Sequence, residues 1–149
     1  MYYGKILIPM KVSTILFEYT SFWWLILVVF FSNCTSKMIQ SPSGLQYQIL
    51  KKGKGSSAKV GDEILLFETT SYLDGTVLYS NENTGRPVKV LIGGNQATLA
   101  VDEALLGMKA GEIKRIIAPP YLLKRKNYPP NVSPDSTLVI KMILDKIVN

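Results

Sequence analysis

A short segment of helical period, set among segments of strand period, limits this chain to few architectures. From 99 to 112 it reads Leu-Ala-Val-Asp-Glu-Ala-Leu-Leu-Gly-Met-Lys-Ala-Gly-Glu, with Val101, Ala104, Leu105 and Met108 at i, i+3, i+4 and i+7. That spacing places the four on one face of a short helix and turns Asp102, Glu103 and Lys109 away from it. Thr98 is suited to cap its start, Asp102 and Glu103 suit the positive end of its dipole, and Gly107 and Gly111 mark its exit. A two-turn helix cannot bury its apolar stripe alone, so the flanking strands must cover it. The chain therefore reads as a sheet folded around one helix.

The expected strands follow from alternation and from turn residues. They are residues 45–50, 63–72, 76–80, 88–92, 112–118 and 137–147. Residues 51–55 form a turn, Asp74-Gly75 is a hairpin signal, and 81–87 is a loop. Pro119-Pro120 stops the fifth strand because proline cannot donate to a ladder. Residues 121–134 form a long loop. In the last strand Leu138, Ile140, Met142 and Leu144 share one face.

The composition closes off much chemistry. The 149 residues include no His and one Cys, Cys34. The Ser-His and Cys-His dyads, the usual zinc sets, CxxC redox motifs and intrachain disulfides are thereby excluded. Gly53 and Gly55, like Gly93-Gly94, lack the spacing of a phosphate-binding loop, and the carboxylates form no metal loop. No cofactor and no metal are expected. A net charge of +6 is scattered among acidic residues, which argues against nucleic-acid binding.

The N-terminus points to export. Residues 22–31 are uninterruptedly apolar, with Lys5 and Lys11 before them and small polar residues after. The run is about half the roughly 20 residues of a spanning helix, as in a signal peptide. Residues 1–33 are read as that signal, with Met10 as a possible internal start. Cys34 follows in Phe-Ser-Asn-Cys, which resembles the lipobox of bacterial lipoproteins, although Asn33 and Phe31 depart from the usual residues. The resemblance implies cleavage before Cys34, lipidation of its thiol and anchorage in the cell envelope. Thr35 after it favours the periplasmic side of the outer membrane, and an uncleaved anchor is the alternative. Residues 34–43 then serve as a lipidated tether without structure, and 44–149 form the folded domain.

From residue 44 onward the punctuating residues resemble the FK506-binding-protein (FKBP) type of peptidyl-prolyl isomerase. They are Gly61-Asp62, Asp74-Gly75 with Ser80, Gly93, Glu103-Ala-Leu-Leu-Gly-Met108, Gly111-Glu112, Pro119-Pro120 and Ser136-Thr-Leu-Val139. The resemblance implies an α+β fold, an antiparallel half-barrel of five or six strands wrapped across one short helix. It also implies an activity toward proline-containing segments of exported proteins that needs no cofactor.

The same resemblance assigns the pocket by position. Leu78, Val88 and Ile140 stand where the family usually has Phe, and Val101 where a Trp often forms the floor. Ala97 and Thr98 occupy a Val-Ile pair whose second backbone N–H holds a substrate carbonyl, and Val132 completes the aliphatic set. Glu68 replaces a Tyr, Tyr79 an Asp, and Lys124 the Tyr of the long loop. Glu68 and Lys124 would put charge at the rim, which opposes desolvation. Strand alternation places Glu68 on the inner face with Ile64 and Leu66. The resemblance, in which the usual Tyr and Asp are hydrogen-bonded to one another, makes the Tyr79 hydroxyl its expected partner, and the equal alternative is that both side chains point to solvent. The aliphatic set reads equally as a reduced prolyl pocket or as a filled core edge. An isomerase and a non-catalytic binding or scaffold lipoprotein both fit, and Lys124-Arg125-Lys126 with Tyr121 and Tyr128 is a weaker candidate contact loop for anionic lipid or an acidic partner.

Overall fold

The computed structural model describes residues 37–148, so the expected signal segment and Cys34 lie outside the described residues. Among the described residues nine strands and one α-helix follow in chain order: β1 (Ile39–Gln40), β2 (Gln46–Lys51), β3 (Lys54–Ser57), β4 (Glu63–Tyr72), β5 (Val77–Ser80), β6 (Val88–Leu91), α1 (Leu99–Leu105), β7 (Lys109–Ala110), β8 (Ile113–Ala118) and β9 (Leu138–Ile147). Among the described residues the main sheet has seven strands in the order β1-β2-β8-β9-β4-β5, with β6 also paired to β4. Every pairing is antiparallel. β3 and β7 form a separate two-stranded ribbon.

Three short strands, β1, β3 and β7, exceed the five or six expected, and β1 lies in the supposed tether. Ile39 and Gln40 pair with Tyr47 and Gln46, so part of the segment read as unstructured is an edge of the sheet. The turn between them closes through Ser41 N–H to the Leu45 carbonyl and Gly44 N–H to the Ser41 carbonyl. Gly44 has φ +89°, and a Cβ there would lie 2.2 Å from the Tyr121 hydroxyl. That hydroxyl donates to the Ser43 carbonyl at 2.8 Å, so the glycine makes room for the group that holds the turn. Likewise the turn expected at 51–55 runs on into β3, whose partner β7 lies more than fifty residues away.

β4 and β9 form the spine, paired from Ile64↔Ile147 to Tyr72↔Leu138 with one bulge between Leu65 and Leu66. Alternation puts Ile64, Leu66, Glu68 and Thr70 of β4 on the inner face beside Leu138, Ile140, Met142 and Leu144 of β9. Lys114, Ile116 and Ala118 of β8 continue that face. The helix presents Ala100, Val101, Ala104 and Leu105 to it, and Met108 joins them just beyond its end. Among the described residues the buried core is entirely aliphatic apart from methionine sulfur, and no aromatic ring is fully buried within it.

A buried lysine fastens the helix to the sheet. Lys114 Nζ donates to the Ala104 carbonyl at 2.7 Å, satisfying an acceptor that the helix end leaves open. It lies 3.7 Å from Glu112 and 5.4 Å from the Tyr47 ring centroid. At the other end Asp102 N–H donates to the Thr98 carbonyl, while the expected side-chain cap is not made. Thr98 Oγ1 is buried without a hydrogen-bond partner.

Candidate functional site

The concave side of β4 changes partner halfway along, and this break shapes the site. Residues 63–66 pair with β6, whereas 69–71 pair with β5, which leaves Glu68 between the two ladders. Asn81, buried just after β5, fills the gap. Its Oδ1 accepts the Glu68 N–H at 2.7 Å, and its Nδ2 donates to the Leu66 and Arg86 carbonyls at 3.3 Å each. One amide side chain thus stands in for the missing strand neighbour and ties the 81–87 loop to the sheet. Sequence reading passed over it as a loop residue, since burial of an Asn is decided by the neighbours that surround it.

Glu68 does lie on the inner face, with a partner other than the expected one. Its Oε1 accepts a 2.6 Å hydrogen bond from Thr70 Oγ1, two residues along the same strand. Tyr79 pairs with Thr70 through the backbone, but 45% of its surface stays exposed, and no described hydrogen bond joins its hydroxyl to Glu68. Directly paired residues share a face, as do i and i+2 on one strand, so Thr70 and Tyr79 both stand on the Glu68 side of the pleat, and it is the Thr70 hydroxyl that makes the bond.

Six of the expected residues gather on the hydrophobic core. Val101 and Ile140 are buried within it, Leu78, Ala97 and Val132 pack against it half-buried, and Thr98 is buried at the head of the helix. Val88 stays 38% exposed on the outer ladder. Lys124 is also exposed and lines a separate shallow cleft of about 550 Å³ with Pro120, Tyr121, Arg125, Tyr128, Pro134 and Asp135. Tyr121, Arg125 and Tyr128 of the candidate contact loop line it too, whereas no other residue of the expected proline pocket borders it. The loop residue that turns inward is its neighbour Leu123, 2% exposed and part of the core. The Leu122-Leu123 pair was the available signal, because consecutive leucines ahead of Lys-Arg-Lys mark where the loop dips into the protein.

The chemistry on offer is apolar enclosure with a few hydrogen bonds at its edge. Among the described residues no group of His, Cys, Asp and Glu is placed to hold a metal ion.

Comparison with known proteins identifies the family. The sequence profile of the family described as FKBP-type peptidyl-prolyl cis-trans isomerase matches residues 54–145. The chain is 30% identical over 115 residues to the chloroplastic peptidyl-prolyl cis-trans isomerase FKBP16-3 of Arabidopsis thaliana, covering 74% of this chain and 52% of that protein. It is 35% identical over 107 residues to the peptidyl-prolyl cis-trans isomerase Mip of Coxiella burnetii, covering 68% of this chain and 44% of the relative. The chain thus spans about half the length of these two relatives. Among solved structures, FkpA from Escherichia coli superimposes with a TM-score of 0.66 at 24% identity, covering 87% of this chain and 58% of that one. AtFKBP13 does so with a TM-score of 0.67 at 23% identity, covering 75% and 99%. These structural likenesses establish the shared fold. With the profile covering more than half its length, the chain is a member of the FKBP-type peptidyl-prolyl cis-trans isomerase family.

Proposed function

We propose that the protein is a peptidyl-prolyl cis-trans isomerase of reduced activity, anchored through lipidated Cys34 on the periplasmic side of the outer membrane and acting on proline-containing segments of exported proteins. The observation that carries the activity is the aliphatic group of Leu78, Ala97, Val101, Val132 and Ile140 gathered on the core beside the head of the helix.

Rotation about an Xaa-Pro bond faces a barrier of about 20 kcal/mol because amide resonance makes the C–N bond partly double. The twisted amide has lost that resonance and is less polar than the planar one. A surface that strips water from the carbonyl therefore favours the twisted form. Apolar side chains suffice for this, and the backbone N–H of Thr98 supplies the donor that the family resemblance assigns to the substrate carbonyl. Aromatic walls strengthen such a pocket by about 0.5–1.5 kcal/mol per ring pair beyond their area, and here they are aliphatic. At 1.36 kcal/mol per tenfold in rate, the loss predicts an activity about tenfold or more below that of an aromatic-lined pocket.

A protease-coupled assay on proline tetrapeptides tests the activity. The folded protein should accelerate isomerisation above the thermal rate, and Leu78→Phe should raise kcat/KM. A thermal rate from folded protein overturns the isomerase reading. If peptide binding persists in that case, the non-catalytic binding lipoprotein, favoured by the absence of aromatic rings from the buried core of the described residues, takes its place. Anchorage is tested separately by labelled fatty-acid incorporation, which Cys34→Ala should abolish. Incorporation that survives the substitution, or is absent from the parent chain, overturns lipidation at Cys34.

A further inference from the structure

Val132 is the one member of the aliphatic group carried by the long loop between β8 and β9, and the peptide units on both sides of it are held by a single side-chain hydroxyl. Tyr72, the last residue of β4, donates its Oη hydrogen to the Asn131 carbonyl at 3.0 Å and accepts the Ser133 N–H at 3.0 Å. The Asn131 side chain then reaches back, with Nδ2 donating to the Leu78 carbonyl at 3.3 Å on β5. Leu78 and Val132 both pack against the core.

We propose that Tyr72 is a positioning residue whose hydroxyl latches the long loop to the β4–β5 hairpin and thereby sets the separation of Leu78 and Val132, the two walls of the proline site. The inference rests on the function proposed above. Its physical basis is the contrast in stiffness between the two sides. Tyr72 is held at the end of the sheet by its pairing with Leu138 and by its N–H to the Thr76 carbonyl. The segment it holds belongs to a loop with no strand pairing of its own, steadied nearby by turns from Val132 N–H to the Pro129 carbonyl and Ser136 N–H to the Ser133 carbonyl. A half-buried valine gives that segment little directional restraint, because apolar contact is not directional. Two hydrogen bonds converging on one oxygen fix both its position and its orientation.

The ring of Tyr72 packs against the core, so Tyr72→Phe keeps the packing and deletes the hydroxyl alone. In that variant the Ser133 amide should exchange its hydrogen about tenfold faster, as expected for the loss of a net hydrogen bond. KM for a proline tetrapeptide should rise several-fold with kcat within about twofold, because Thr98, Val101 and Ile140 are untouched while the wall that closes on bound substrate is loosened. Asn131→Ala removes only the arm to Leu78 and should raise KM by a smaller factor, while leaving the Ser133 amide protected. Unchanged Ser133 exchange in Tyr72→Phe, or faster exchange with KM unmoved, overturns the latch. If the parent protein shows no turnover, peptide affinity measured by NMR titration replaces KM. Parent binding that Tyr72→Phe leaves unaltered overturns the latch alone, whereas a parent that neither binds nor turns over the peptide overturns both the latch and the function on which it rests.

Discussion

Thr98 carries a local contradiction that its neighbours do not resolve. A threonine ahead of an amphipathic run is a natural helix cap, yet its hydroxyl makes no cap bond and is buried without a partner. An unsatisfied buried hydroxyl costs about 1–3 kcal/mol, so Thr98→Val, which keeps the shape and removes the polar atom, should stabilise the protein by about 1 kcal/mol in urea unfolding. The backbone N–H proposed to hold substrate is retained in that variant. Equal or lower stability in Thr98→Val would show that the hydroxyl is satisfied in solution. Glu68 teaches the complementary lesson. Its face was legible from alternation with Ile64 and Leu66, but the pleat puts both Thr70 and Tyr79 on that face, and only the structure shows that the bond goes to Thr70 while Tyr79 stays exposed.

At the scale of elements, the seam between helix and sheet is closed by Lys114, a cation on the inner face of β8. Burial pushes its pKa below the usual lysine value, and Glu112 beside it opposes that shift. The unfolded chain, with the ordinary lysine pKa near 10.5, therefore holds this proton more tightly than the folded chain does. As pH rises through the depressed folded value toward 10.5, the stability contributed by this group should increase. Subtracting the urea-unfolding stability of Lys114→Met from that of the parent across this range isolates the contribution, and a difference that falls with pH would contradict it. At neutral pH Lys114→Met should destabilise by about 3 kcal/mol, because it leaves buried Glu112 without its cation and the Ala104 carbonyl without a donor. Nothing in the sequence singled out this lysine, which sits in a strand of otherwise ordinary alternation. By contrast β4, β9 and the helix were legible, since ten-residue alternation and the i, i+3, i+4, i+7 stripe each repeat often enough to identify themselves. β1 and β3 were not, being two and four residues long and stable only through partners contributed by other segments.

At the scale of the described domain, the helix α1 fills the hollow of the seven-stranded sheet with its apolar stripe. Leu105 is fully buried at the centre of that contact. Leu105→Ala should cost about 2–5 kcal/mol in urea unfolding, and a cost below 1 kcal/mol would show that the helix is not the centre of the core. Among the described residues the interior, aliphatic apart from methionine, is sufficient to hold the family scaffold. Aliphatic side chains of suitable total volume keep a core folded, whereas the grip on a proline ring depends on the particular walls presented to it.

The sequence by itself determined the long strands, the helix at residues 99–105 and which face of each long element turns inward, and its punctuating residues resembled one family. The elements follow from periodicity and turn chemistry acting over a few neighbouring residues. Only the tertiary structure decided that Asn81 completes the broken ladder, that Leu123 rather than Lys124 enters the core, and that Tyr72 reaches across to the loop bearing Val132. Those contacts join residues from 13 to 59 positions apart, and a hydrogen bond over such a span exists only once the sheet has curved and brought its edges together.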